Sequence, residues 1–216
     1  MQDVVIFGGK GTAINIAEQI EHARRVFGNP MRVKGFAVDD PSLGATVAGF
    51  PIVAGVRDAW DRFRETSVQF IFALYRPDRM PERMQLRHDL GIPRERFANF
   101  VHPLSYVSAS VALGCGNTVL SHSSVHHGAA LGDCNIINSN VVVEHDAELQ
   151  NSVFLAAGAC IGARARLGNG VFVGLNATIR EDVRVVDFAF IGMSACVLHD
   201  IDRQSVVFGV PARPRP

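Results

Sequence analysis

Hydrophobic positions fall into two rhythms along the chain. Over residues 1 to about 98, apolar runs at Val4–Phe7, Val33–Val38 and Val68–Leu74 alternate with helical patterns near 12–27, 56–65 and 78–90. Strands alternating with helices predict a small, open, Rossmann-like α/β sheet. From Val101 the rhythm is six. Stepping by six from Val101 to Val197 visits seventeen positions, every one Val, Leu or Ile. Four residues after the first sixteen of these stands Ala, Ser or Val in fourteen cases. A period of six excludes an α-helical stripe, which returns about every 3.6 residues.

The hexapeptide period predicts a parallel β-helix. Each repeat forms one side of a triangular prism, its aliphatic side chain points to the axis, and three sides make a coil. Coils then stack through backbone ladders about 4.8 Å apart. Gly114, Gly132, Gly162, Gly168, Gly174 and Gly192 directly follow an aliphatic position, and they are expected at corners that need positive φ. The period does not set the winding hand, and left-handed winding opposes the usual crossover rule. The predicted division is an α/β unit over 1–98 and a prism over 99–216, joined through Ile92–Phe100 with its Pro93.

The 216 residues are enough for one large or two modest domains. Lys plus Arg and Asp plus Glu are 21 each, so no footprint for nucleic acid or anionic membrane is expected. No apolar run approaches the roughly 18 residues of a bilayer span, and MQDVVIFGG carries no basic leader. The expected location is the cytoplasm, without membrane insertion. Cys115, Cys134, Cys160 and Cys196 form no CxxC pair, and buried reduced thiols are expected.

The first strand runs into Gly8-Gly9-Lys10-Gly11-Thr12 and then a helical stretch. Such glycines let backbone N–H groups and a helix N-terminus approach phosphate. Counted from Gly9, the dinucleotide pattern fails at Ile14, and 98 residues are short for two mononucleotide-binding halves. One phosphate or diphosphate is expected before NAD, with a plain structural turn as the alternative. Asp39 and Asp40 end the next strand on the carboxyl edge, where they can accept hydrogen bonds from a ribose or base, or form a solvated turn before Pro41.

Six of the eight histidines lie in the repeat half. His127 and His145 each stand two residues past an aliphatic position and are 18 residues apart, which puts them on one edge of adjacent coils. Ala163, Glu181 and His199 continue that column. A neutral imidazole at such an edge can take a proton from an attacking amine or hydroxyl, with Glu144 and Asp146 to orient or polarise it.

The Gly-rich opening with FAVDD, Phe100-Val101-His102-Pro103, Asn138 with Val143-Glu144-His145-Asp146, and the ending Phe208-Gly209-Val210-Pro211-Ala212-Arg213 are together distinctive. In these the chain resembles hexapeptide-repeat acyltransferases of the sialic acid O-acetyltransferase and nucleotide-sugar N-acetyltransferase group, which includes UDP-4-amino-sugar and GDP-perosamine enzymes. The resemblance implies a left-handed β-helix after a nucleotide-binding unit, a homotrimer, active sites between subunits, and acetyl-CoA in the groove between neighbouring helices. It implies His145 as base, Asp146 raising its proton affinity, and Asn138 as part of the same catalytic motif. Gly9, Lys10, Gly11, Thr12, Asp39, Asp40 and Tyr75 fall at sugar-nucleotide contacts. Leu175 and Met193 line the CoA groove, and Phe154 stands where a histidine contacts acetyl-CoA.

Ala163 lies one coil beyond His145, where its N–H can face the thioester carbonyl; the family usually has Gly there. Arg213 suits a CoA phosphate through its planar fork, or belongs to a solvated tail. Thr12, Tyr75-Arg76 and Phe154 depart from the family, and Tyr75 either stacks on a base or fills the base pocket. The expected reaction is N-acetylation of a nucleotide-linked amino sugar by acetyl-CoA, without a metal. The alternatives are sugar O-acetylation of the sialic acid type, a zinc-dependent β-helical enzyme using His122 and His127, and a non-catalytic sugar-binding scaffold. The zinc reading needs a further histidine two coils back, where the chain has Leu86.

Overall fold

The computed structural model describes residues 1–202 and 204–215. The α/β unit is β1 (Gln2–Phe7), α1 (Thr12–Phe27), β2 (Met31–Ala37), β3 (Thr46–Val47), β4 (Phe50–Ala54), α2 (Ala59–Phe63), β5 (Gln69–Phe72) and α3 (Met80–Asp89). The sheet order is β3-β4-β2-β1-β5, parallel except between β3 and β4. Helix α1 buries Ala13, Ile16, Ala17, Ile20 and Ala23 along one side, against Val4 and Ile6 of β1. It stops at Gly28, whose left-handed backbone donates to the carbonyl of Arg24. The hairpin β3–β4 goes beyond the sequence expectation. It turns on Ala48 and Gly49, both at positive φ, the conformation that tight antiparallel turns require.

The prism follows the six-residue period closely. Each of the seventeen aliphatic residues is the second residue of a two-residue strand, from Phe100–Val101 to Cys196–Val197. Strands one coil apart pair in parallel, for example Val125 on Val143 and Val143 on Ile161. The three faces are sheets of six, five and eight strands, the last closed by the strands Val206–Phe208 and Arg213–Pro214. The winding is that of a left-handed β-helix. From Val119 upward the inward side chains are almost completely buried, while Val101, Val107 and Leu113 at the open end are half-buried. The two exceptions to the small-residue positions, Asn117 and Asn135, are fully buried and cap backbone N–H groups of the next coil, those of Asn135 and Val153.

The corner glycines correct the sequence reading. From Leu113 to Ile191, positive φ falls on the third residue after each aliphatic position, including His122, Asn140, Asp146, Arg164 and Gly128. It does not fall on the residue directly after. Gly162 and Gly174 are instead squeezed by the next coil: a Cβ would lie 2.5 Å from the Glu181 nitrogen and 2.6 Å from that of Met193. Close coil stacking, not backbone handedness, demands glycine there.

The α/β unit is clamped to the first coils. Gln19 of α1 accepts from the Ser121 N–H at 2.9 Å and donates to Ser139 Oγ at 3.2 Å. His22 Nδ1 meets His102 Nε2 at 3.0 Å with the rings stacked. Arg94 holds Asp133 in a two-pronged ion pair. No described helix is long and apolar enough to cross a membrane.

Candidate active site

The left-handed corner after Val143 shapes the first cluster. Asp146 takes φ +58, a conformation its short polar side chain tolerates better than most. The turn brings its carboxylate back onto its chain neighbour, with Oδ2 2.9 Å from His145 Nδ1. That hydrogen bond is the main cause holding the Asp146 carboxyl below the usual carboxylate range. An ionised acceptor at Nδ1 selects the tautomer with the proton on Nδ1, so the Nε2 lone pair is available to take a proton. Both side chains are partly exposed.

The neighbouring coils complete this edge. His127 stacks on His145 from below, ring centroids 5.3 Å apart. Above, Arg164 donates its N–H to the His145 carbonyl and Asp182 to that of Ala163, so the two residues share one edge. The Ala163 N–H has no hydrogen-bond partner among the described residues. His127, His145 and Asp146 offer ligand atoms within 4.8 Å of one another, the one metal-compatible group among the described residues. The zinc set posited from sequence does not assemble: Leu86 belongs to α3 and lines the α/β pocket. His126 pairs with Glu144 at 3.1 Å on the adjoining face, leaving Asp146 as the carboxylate on His145.

A second cluster is a cavity of about 600 Å³ in the α/β unit. It gathers Gly9, Lys10, Asp39, Asp40 and Tyr75. Gly11 and Thr12 do not line it; Gly11 precedes α1, at φ +48 and without a side-chain cap, and Thr12 opens the helix. Asp39 accepts from the Val56 N–H at 2.7 Å. Asp40 accepts from Lys10 at 2.6 Å and from Ser42, and chiefly the Lys10 bond brings its pKa down to about 2. Arg57, Arg76 and Arg83 also line the cavity. In the sequence Arg57 and Arg83 look like a solvated face, being arginines in helical patterns, and only Arg76, beside Tyr75, stands out.

Tyr75 joins this cavity to the prism. Its ring packs 4.4 Å from Phe154, the first of a column continuing through Phe172 and Phe190 to Phe208. Its hydroxyl lies 3.5 Å from the carbonyls of Gly170 and Val171, and burial pushes its pKa up. Phe154, expected at acetyl-CoA, is instead only 9 % exposed beneath Tyr75. The cause is its outward position on the face that carries the α/β unit.

The remaining residues lie apart from these clusters. Asn138 donates its side-chain amide to the Leu155 carbonyl at 2.9 Å and is buried. It begins the face at whose far end His145 stands, so one chain does not bring the two together. Leu175 and Met193 share another edge, 49 % and 69 % exposed, and their N–H groups have no partner among the described residues. Arg213 is exposed and pairs with Phe208 in the terminal ladder.

No protein-family model and no curated protein matches the chain. Solved structures do. The acetyltransferase domain of PglB from Neisseria gonorrhoeae FA1090 is 25 % identical with TM-score 0.84, covering 100 % of both chains. The same domain in complex with acetyl coenzyme A gives 25 % and 0.83 over 99 % of both. PerB from Caulobacter crescentus, in complex with CoA and GDP-perosamine, is 25 % identical with TM-score 0.80, covering 100 % of this chain and 98 % of that one. Over its whole length the chain is therefore similar in build to hexapeptide-repeat acetyltransferases, in agreement with the resemblance of its sequence to the nucleotide-sugar N-acetyltransferase group.

Proposed function

We propose that this chain transfers the acetyl group of acetyl-CoA to the amine of a nucleotide-linked amino sugar, with His145 as general base. The observation that carries the reading is the His145 edge: Nδ1 tied to Asp146 at 2.9 Å, Nε2 available, and the unbonded Ala163 N–H one coil above. The amine attacks the thioester carbonyl while His145 Nε2 receives its proton. The Ala163 N–H stabilises the oxyanion of the tetrahedral intermediate. As the carbonyl reforms, the C–S bond breaks, and the proton held by His145 passes to the thiolate of CoA. Asp146 keeps the imidazole in the receptive tautomer and offsets the charge it gains.

In this reading residues 1–98 hold the nucleotide sugar and residues 99–216 carry the transfer. Leu175, Met193 and Arg213 face acetyl-CoA; Phe154, covered by Tyr75, is left out. The α/β cavity and the edges of His145 and Leu175 lie apart within one chain, which supports sites shared between the subunits of a homotrimer. Reduced thiols and acetyl-CoA as co-substrate fit a cytoplasmic enzyme.

The test is to incubate the protein with acetyl-CoA and UDP-, GDP- and dTDP-linked amino sugars or their hydroxyl counterparts, following thiol release and product mass. Acetylation of at least one amine is expected. Turnover of hydroxyl acceptors alone assigns O-acetylation instead, and no turnover with any acceptor contradicts an acetyltransferase role for these substrates.

A further inference from the structure

The cavity of the α/β unit holds more positive charge than its own acids use. Lys10, Arg57, Arg76 and Arg83 all line it. Lys10 is engaged by Asp40 and Arg76 by Asp78. Arg57 and Arg83 have no ion-pair or side-chain hydrogen-bond partner among the described residues. The Nε of Arg83 is completely enclosed and still lacks an acceptor. With no protein acceptor on it, the guanidinium of Arg83 keeps its hydrogen-bonding capacity for an anion in the cavity that it lines.

Placement makes both arginines suited to that task. Arg83 rises from the first turn of α3 and also borders the crevice against Cys134 and Ser152, so its stem is pinned where α3 meets the prism. Arg57 follows the carboxyl end of β4, on the sheet edge where β1 runs into Gly8 and Gly9. The carboxylates of the wall do not answer them, because Asp39 accepts from Val56 and Asp40 from Ser42 and Lys10. The loop of Gly8, Gly9 and Lys10 lines the same cavity, leading to an α1 first turn with no acidic residue. Two unmatched guanidiniums sharing a cavity with a glycine loop suit an acceptor-rich dianion, since arginine's fork binds phosphate oxygens in pairs.

We infer that Arg83 and Arg57 form a two-arginine clamp on the diphosphate of a nucleoside-diphosphate ligand, and that this clamp makes the cavity favour diphosphates over monophosphates. The inference rests on the nucleotide-sugar reading above and adds the residues and the charge state that the cavity selects.

Titration calorimetry of the full chain with UDP, GDP, dTDP and the matching monophosphates tests it. The preferred diphosphate is expected to bind the unmodified protein at least about tenfold tighter than its monophosphate. Arg83→Gln is expected to weaken the diphosphate at least about tenfold and the monophosphate much less, with Arg83→Lys in between. Acetyl-CoA binding serves as the control for folding, and Arg57→Gln, on an exposed segment, gives the same readout if Arg83→Gln does not fold. Diphosphate binding within about twofold of the unmodified protein in both glutamine variants overturns the clamp and leaves the nucleotide-sugar reading standing. Failure of the unmodified protein to bind any diphosphate overturns both.

Discussion

Asp146 accepts a hydrogen bond at 2.9 Å from the imidazole of His145, the residue directly before it in the chain. Neighbours in extended backbone point to opposite sides; here the left-handed turn at Asp146, φ +58, folds one side chain onto the other. Asp146→Ala removes the acceptor that fixes the tautomer. In steady-state kinetics kcat is expected to fall at least about tenfold, with KM for acetyl-CoA within about twofold. An unchanged kcat would show that the carboxylate does not orient the base.

Gly128 controls the same pair from one coil below. Its φ is +70, and an added Cβ would overlap the Asp146 carboxylate. Gly128→Ala therefore carries left-handed strain of about 1–2 kcal/mol and displaces Asp146. The expected outcome is a lower unfolding midpoint together with a kcat reduced in the manner of Asp146→Ala. A destabilised protein of full kcat would separate Gly128 from the site.

The His22–His102 contact predicts a pH dependence of stability. His102 is 1 % exposed. Its Nδ1 accepts from the Leu104 N–H at 3.2 Å, so Nε2 carries the proton it donates to His22 Nδ1. Both nitrogens are satisfied only while the ring is neutral. Burial, helped by His22 and His122, lowers its pKa from the usual 6.5. The sign follows: the unfolded chain takes the proton first, so stability is complete above pH 6.5 and is lost as pH falls below it, down to the lower folded value. In urea titrations between pH 8 and 5, His102→Gln is expected to reduce the slope of stability against pH by up to about 1.4 kcal/mol per pH unit. An unaltered slope would contradict it.

The aromatic contact between Tyr75 and Phe154 ties the nucleotide cavity to the prism. Phe154→Ala opens a cavity beneath Tyr75 and is expected to cost about 3 kcal/mol in stability, and it also weakens nucleotide binding by loosening that wall. A double-mutant cycle with Tyr75→Ala should give a coupling of about 0.5–1.5 kcal/mol. Zero coupling would mean that the two rings act independently.

Much of the fold is readable in residue order because each repeat places one aliphatic side chain on the axis. Seventeen strands and their register follow from that single rule. The same rule located the edge shared by His145 and Ala163. What it left out depends on contacts between elements. The hairpin at Ala48-Gly49 is too short for periodicity to register. The role of Gly162 and Gly174 depends on the coil above them, and the covering of Phe154 on Tyr75, 79 residues earlier. The arginines of the α/β cavity come from separate segments that only the folded sheet brings together.

The most direct measurement is single-turnover acetyl transfer by His145→Ala, with the nucleotide amino sugar that the unmodified protein turns over fastest. Loss of a true general base at this edge is expected to slow the step about 10²- to 10⁴-fold at neutral pH, with acetyl-CoA and diphosphate still bound. A transfer rate equal to that of the unmodified protein would contradict the assignment of His145 as the base.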